Sequence, residues 1–161
     1  MKMVIAIDPG KSGGLAVFFN GKVLTHSMPE TDGDVLDLLR EHLEMSIARE
    51  ETEQICVLEQ VGGFVGKGQP GSAMFTFGAG FGFLKGCIQA LEMRLELVRP
   101  QEWQKCLGLG TASNCASARE WKNKLKAEAQ RRFPQLRVTH KTADALLIGD
   151  YFIRKPHKIL D

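Results

Sequence analysis

Two carboxylates, Asp8 and Glu59, lie at positions where an acid can bind a ligand or take part in catalysis. Asp8 ends the apolar run 4–7, and Glu59 ends the apolar run 55–58. Short uninterrupted apolar runs are typical of strands covered on both faces, and open α/β sheets bind ligands at the carboxyl ends of their strands. If the two strands are parallel neighbours, the acids converge there. A pair of convergent carboxylates can hold a divalent cation.

A third acid, Asp144, lies among small and apolar residues of a helical segment. A carboxylate in such surroundings is costly to bury unless it is paired or bound to a cation. At about 100° per residue, His140 and Lys141 can share its face, whereas Asp150 falls about 240° around the helix and is excluded from the site. Three carboxylates, Asp8, Glu59 and Asp144, could bind one or two Mg²⁺ ions for phosphodiester cleavage.

Each acid also has a purely structural interpretation. Asp8 could cap the turn that follows it, Glu59 could be a surface acid at a strand end, and Asp144 could satisfy the helix dipole. These alternatives weaken when the three acids occur together in this order.

The elements that must position these acids can be predicted from hydrophobic patterns and turn signals. Strands are expected at 3–8, 15–19 and 22–27, with Asn20-Gly21 as a hairpin turn, so that the three form an antiparallel meander. A helix at about 34–49 then leads to a strand at 55–59 that can lie parallel to the first.

The second half of the chain is predicted to be mainly helical. A glycine-rich loop follows Glu59, and it can approach a ligand closely. Residues 72–94 combine a strand-like alternation of Phe with glycines on one helical face, and their length favours a helix. A strand at 95–99 stopped by Pro100 comes next, followed by helices at 117–132 and 142–154.

Composition indicates an ordinary globular protein and excludes several classes. The chain has 161 residues, 43% hydrophobic and 25% charged, which predicts one domain over 1–161. The apolar runs are too short for a membrane span, and no signal peptide opens the chain. The four cysteines show no metal-ligand spacing and are interpreted as reduced thiols of a cytoplasmic protein.

Charge is unevenly distributed, although the net charge is only +2. Residues 30–59 carry ten acids and two bases, whereas residues 119–141 carry eight bases and two acids. A basic helix is the electrostatic footprint of a polyanion, although a solvated helix face is the simpler explanation when it occurs alone. The candidate phosphate contacts on this helix are Lys122, Lys124, Lys126 and Arg131.

Three motifs together resemble the RuvC family of Holliday junction resolvases, most closely its phage and prophage versions. They are Ile5-Ala6-Ile7-Asp8-Pro9-Gly10, Val57-Leu58-Glu59-Gln60-Val61 and Lys141-Thr142-Ala143-Asp144-Ala145-Leu146. The first motif alone is shared with many ribonuclease H-like and actin-like proteins. All three in order, over roughly residues 3–154, are fairly specific.

The resemblance implies an α/β, ribonuclease H-like fold with a five-stranded mixed sheet flanked by helices. It implies a homodimer that binds four-way DNA junctions and makes paired nicks with Mg²⁺ or Mn²⁺, in the cytoplasm of a bacterial or phage-infected cell. Asp8, Glu59 and Asp144 would be its metal-binding catalytic acids. Dimerisation also follows from symmetry, because paired nicks need two sites, and the region 75–86 is the candidate interface.

The chain departs from the family at one position. Three residues before its final Asp the family usually has a fourth acid or a histidine, and Lys141 stands there. His140 could replace that group as ligand or proton shuttle, or Lys141 could stabilise the charge of the transition state. The number of metals and the general base are therefore open.

The family also places an aromatic wedge after the acid of the fourth strand. Phe64 is the candidate for stacking on an unpaired base, with Lys67 on phosphate, and folding back into the core is the alternative for Phe64. Trp103 and Trp121 are expected to be core or interface anchors.

Two rival functions remain at this point. A non-catalytic ribonuclease H-like module that only binds nucleic acid is favoured by Lys141. A related nuclease acting on RNA or on other branched DNA is the second.

Overall fold

A computed structural model describes residues 1–47, 52–62 and 70–155. Five strands form one sheet: β1 (Lys2–Asp8), β2 (Gly14–Phe19), β3 (Lys22–Ser27), β4 (Glu53–Glu59) and β5 (Arg94–Val98). Five helices flank it: α1 (Asp32–Ile47), α2 (Gly71–Ala90), α3 (Pro100–Lys105), α4 (Ala118–Arg132) and α5 (His140–Arg154). A short 3₁₀ helix covers Ala112–Asn114.

The sheet has the strand order β3-β2-β1-β4-β5. Neighbours β1, β2 and β3 pair antiparallel, whereas β4 lies parallel to both β1 and β5. The predicted mixed sheet, a meander extended by parallel strands, is confirmed. The parallel strands β1 and β4 are almost wholly buried, which explains why both appear in the sequence as continuous apolar runs.

The two faces of the sheet carry separate cores. Val4 and Ala6 of β1 face α4 and α5, whereas Met3, Ile5 and Ile7 face α1 and α2, because alternate side chains of a strand point to opposite faces.

Helix α5 lies against β1 and β2 at very close range. A Cβ added to Gly149 would stand 2.1 Å from the ring of Phe18, and one added to Gly14 would stand 2.5 Å from the backbone carbonyl of Lys141. Glycine at these two positions therefore lets the helix settle directly onto the sheet. All residues from 142 to 150 are buried as a result.

The element boundaries differ from the expected ones in three informative places. Helix α5 begins two residues early, at His140, where the side-chain Oγ1 of Thr142 accepts a hydrogen bond from the backbone N–H of Thr139 at 3.1 Å and closes the first turn. Helix α2 ends at Ala90, where a turn with Glu92 at φ 56° leads into β5. Pro100 does not simply stop a strand: it opens the unexpected helix α3, as proline can at a first helical position.

Helix α2 is apolar but poorly covered. Phe75 is 79% exposed, and among described atoms nothing lies within 4 Å of a Cβ placed on Gly78, Gly82 or Gly86. No helix in the described part of the chain has the length and apolar character needed to span a membrane.

Candidate active site

Two of the predicted acids end neighbouring parallel strands. Asp8 is the last residue of β1 and Glu59 the last of β4, and the register pairs Ile7 with Leu58 immediately before them. Asp144 comes from α5, in the turn after the one that packs against Gly14, which is itself the β2 partner of Asp8. Sheet register and the close approach of α5 thus bring three distant chain segments to one edge of the sheet.

The electrostatics of Asp8 report this convergence. The pKa of Asp8 is raised to about 8, mainly by burial and also by the negative charges of Asp144 and Glu59, against the opposing effect of Lys122. A carboxyl group with such a pKa is protonated over much of the neutral range until a cation compensates its charge. Asp8 is therefore unlike a turn-capping aspartate, which would be ionised.

Glu59 is buried and held in place by a tryptophan. The indole Nε1 of Trp103 donates a hydrogen bond to Oε1 of Glu59 at 2.8 Å. Burial raises the pKa of Glu59, the Trp103 hydrogen bond lowers it, and the charge of Asp144 raises it. Because Trp103 itself is fully buried, Glu59 is an oriented carboxylate and not a surface acid.

Asp144 is 4% exposed and only half satisfied. Its Oδ2 accepts a hydrogen bond from the ammonium of Lys122, whereas its Oδ1 is buried without a hydrogen-bond partner among the described residues. Burial works against the charge on Lys122, but Asp144, Asp8 and Glu59 together raise the pKa of the ammonium. The positive charge of Lys122 therefore interacts with all three carboxylates.

The chemistry of this cluster fits a hard divalent cation. Mg²⁺ and Mn²⁺ prefer oxygen ligands, and the cluster offers carboxylates only, one of them with an orphan oxygen. Among the described residues, no three acidic, histidine or cysteine side chains already stand at ligand distance from a common point. The three acids interact through their charges, and their side chains would have to close around an ion.

His140 and Lys141 lie beside this cluster in sequence but have other surroundings. Both are exposed, and Nε2 of His140 lies 2.9 Å from Oδ1 of Asn123. The lysine charge that acts on Asp8 and Glu59 is that of Lys122. The proposed roles of His140 and Lys141 remain predictions.

The other candidate residues fall into two groups. Phe64 and Lys67 lie outside the described residues. Of the basic helix, Lys122 pairs with Asp144, Lys124 with Glu120 and Arg131 with Glu128, whereas Lys126 makes no ion pair with a described residue.

Sequence reasoning missed two contributors to the site. Lys122 was expected on phosphate, but it contacts Asp144, and Trp103 was expected only as an anchor. A buried indole needs an acceptor for its N–H, which was a usable signal for Trp103. Nothing in the spacing of 22 residues between Lys122 and Asp144 indicates their contact, because it depends on how α4 packs on α5.

The strand order and the flanking helices are those of a ribonuclease H-like fold. Among solved structures, the chain is similar to Thermus thermophilus RuvC in complex with a Holliday junction substrate, with 17% identity, a TM-score of 0.53, and coverage of 92% of this chain and 90% of that one. A second structure of T. thermophilus RuvC is similar over 91% and 90% of the two chains, with 17% identity and a TM-score of 0.51. No protein-family model and no curated sequence matches. The resemblance noted from the motifs is therefore confirmed at the level of the fold.

Proposed function

We infer that this chain, acting as a single nuclease domain over 1–161, is a structure-selective endodeoxyribonuclease. It resolves four-way (Holliday) DNA junctions by metal-dependent, paired hydrolysis of phosphodiester bonds. The observation that supports this most is that Asp8 and Glu59 end neighbouring parallel strands at the carboxyl edge of a RuvC-like sheet, where the charge of Asp144 acts on both. A protein that only binds nucleic acid has no need to bury three acids together.

Asp8, Glu59 and Asp144 would hold Mg²⁺ or Mn²⁺. When bound, such an ion stabilises the charge that develops on the scissile phosphate and makes water a better nucleophile at neutral pH. Trp103 keeps the carboxylate of Glu59 oriented through its hydrogen bond. Asp8 carries a proton that it must release before it can act as a ligand, because its pKa is about 8.

Lys122 has a double part in this proposal. It neutralises Asp144 from a position that is 49% exposed, so its ammonium can also reach a DNA phosphate at the mouth of the site. Further phosphate contacts are assigned to Lys124, Lys126 and Arg131 on α4, and Lys67 and Phe64 are assigned to the junction centre. His140 would replace the family's fourth ligand or act as a proton shuttle, or Lys141 would stabilise the charge of the transition state.

A homodimer supplies the second site that paired nicks require. The exposed apolar face of α2 around Phe75, with its open glycines, supports the region 75–86 as the interface. Sedimentation should show a dimer for the natural chain and a monomer for Phe75→Glu. A natural chain that stays monomeric even on junction DNA would contradict this assignment.

The decisive experiment is cleavage of a synthetic four-way junction with Mg²⁺ or Mn²⁺, comparing the natural chain with Asp8→Asn. We expect symmetric nicks from the natural chain, and binding without cleavage from the variant. Binding without cleavage by both proteins would favour a non-catalytic module, an alternative that the Lys122–Asp144 ion pair makes worth testing. A panel of flaps, forks and RNA duplexes would identify a related nuclease with another substrate.

A further inference from the structure

Two histidines meet on the face of the sheet that lies away from α5. His26 is on β3 and His42 on α1, and their Nε2 atoms are 3.0 Å apart with ring centroids separated by 5.0 Å. Sheet register aligns His26 with Leu15 and Leu15 with Ile7, and both apolar residues belong to the core beneath α1. The histidine pair and Asp144 are therefore on opposite sides of the sheet.

The separation of these nitrogens is close to what one metal ion requires. Zinc binds histidine nitrogen at about 2.0–2.1 Å, so two imidazoles on a tetrahedral ion place their nitrogens about 3.3 Å apart. The present 3.0 Å contact is a hydrogen bond in which one ring donates. If that proton moves to Nδ1 of the same ring, both Nε2 atoms have a free lone pair in the gap between the rings. A small increase in the distance between the two Nε2 atoms would then make room for the ion.

Burial of the two imidazole rings and a nearby negative charge both favour metal binding by His26 and His42. Burial lowers the pKa of His26 and of His42, so that both rings are neutral near pH 7, the form that binds metals. Glu41 acts on both rings with a negative charge and makes no ion pair with any described lysine or arginine. Imidazole nitrogens select zinc-class ions, whereas the carboxylate cluster selects Mg²⁺.

One ring of the pair is accessible, since His26 is half-buried whereas His42 is buried. An open cleft of about 390 Å³ is lined by His26 together with three acids, Asp34, Asp37 and Glu41. A cation would enter through this acidic cleft. Because no third His, Cys, Asp or Glu of the described residues joins the pair at ligand distance, water or a re-oriented Glu41 would complete the coordination.

We propose that His26 and His42 form a binding site for a transition-metal ion of the zinc class, separate from the carboxylate cluster. The ion would clamp β3, an edge strand of the sheet, to α1. Edge strands lack a neighbour on one side, so a side-chain cross-link there holds an element that the sheet secures least. This site is independent of the proposed nuclease activity.

The test is calorimetric titration of the full chain with Zn²⁺ in excess Mg²⁺. The exposed Cys106 and half-buried Cys115 are replaced by serine, and Asp8→Asn is added to weaken the carboxylate cluster. We expect uptake of one Zn²⁺, a rise in Tm with Zn²⁺, and tetrahedral Co²⁺ absorption. His26→Gln should weaken Zn²⁺ binding by at least about tenfold and abolish the rise in Tm.

His157→Gln is the matched control, since it removes a histidine that is assigned to neither metal site and should leave Zn²⁺ affinity unchanged. His26→Gln is preferred to a change at the buried His42, and circular dichroism establishes that the variant is folded. Failure to take up Zn²⁺, or equal affinity in His26→Gln and the parent, would overturn the proposal. Junction cleavage does not enter the readout, so failure of the nuclease assignment would leave this result unaffected.

Discussion

Helix α5 carries two buried aspartates, Asp144 and Asp150, in opposite electrostatic situations. Asp150 accepts hydrogen bonds on both oxygens, from Arg132 at 2.6 Å and from Arg154 at 2.7 Å. Asp144 receives one lysine on one oxygen and nothing on the other from the described residues. The two aspartates are six residues apart on one helix. The hydrogen-bonding capacity of Asp150 is therefore used on both oxygens, whereas that of Asp144 is used on one.

The neighbours of the two aspartates sharpen the contrast. Arg132 also binds Glu128, whose pKa is held down to about 2 by the side-chain hydrogen bonds of Arg131 and Arg132. Asp8, beside Asp144, has its pKa raised to about 8. The charges of Asp150 and Glu128 are thus compensated by arginines, whereas those of Asp8, Glu59 and Asp144 are not fully compensated by the nearby Lys122.

This difference separates a structural network from a candidate site. Buried charges in a purely structural role are fully paired, because an unpaired one costs free energy. A cluster that stays short of positive charge keeps a place for an external cation, and shifted pKa values concentrate at such sites. Burial alone does not distinguish the two aspartates.

The largest expected effect is on cleavage by Asp144→Asn. Junction nicking should fall by at least about a thousandfold, since a proposed metal ligand is lost. The free energy of unfolding should stay within about 1 kcal/mol of the natural value, because the lost ion pair involves a half-exposed lysine. Nicking assays and urea denaturation measure the two quantities, and a variant that still nicks would remove Asp144 from the site.

The matched change, Asp150→Asn, should have the reverse profile. Replacing this buried carboxylate breaks its ion pair with the largely buried Arg132, which should lower the free energy of unfolding by about 3 kcal/mol. Mn²⁺ affinity, measured by electron paramagnetic resonance on the folded fraction, should be unchanged. If Asp150→Asn abolished Mn²⁺ binding while remaining folded, the separation of the two aspartates would be wrong.

A smaller effect is expected from Trp103→Phe, which removes the hydrogen bond to Glu59. A hydrogen bond to a charged group contributes about 1.5–3 kcal/mol, so nicking should fall by roughly tenfold and Mn²⁺ affinity with it. Trp121→Phe is the control, since Trp121 is a buried tryptophan of the same core. Equal losses of cleavage in the two variants would show that Trp103 contributes through packing and not through its hydrogen bond to Glu59.

The smallest expected effect is on the pH dependence of the free energy of unfolding, measured without added divalent metal. The pKa of Asp8 is higher in the folded state, so its contribution to stability is present below about pH 3.8 and is lost as pH rises to about 8. The pKa of Glu128 is lower in the folded state, so its contribution is present above about pH 4.5 and is lost as pH falls toward 2.

Denaturation curves measured across this range should show both trends. Asp8→Asn should reduce the decline toward alkaline pH, leaving the part contributed by Glu59, whose pKa burial also raises, and should keep the acid limb in place. Mg²⁺ should likewise restore stability near pH 8 in the natural chain, because it stabilises the ionised cluster. An alkaline decline that is as steep in Asp8→Asn as in the natural chain would assign it to another group.

The sequence by itself determined the sheet and the ends of its strands. Continuous apolar runs closed by Asp8 and Glu59 marked buried parallel strands, and Asn20-Gly21 marked a hairpin, because these signals depend on local conformation and burial. The helical angle between Asp144 and Asp150 also followed from spacing alone. What could not be predicted was the start of α3 at Pro100, where the same residue can end a strand or open a helix.

Only the tertiary structure decided which cation meets which acid. Lys141 lies only three residues before Asp144 in the motif, yet it is Lys122 from α4 that contacts that carboxylate. The hydrogen bond from Trp103 to Glu59 and the meeting of His26 with His42 likewise join elements far apart in the chain. Local pattern fixes the face on which a side chain lies, but its partner depends on the packing of one whole element on another, and periodicity carries no information about that packing.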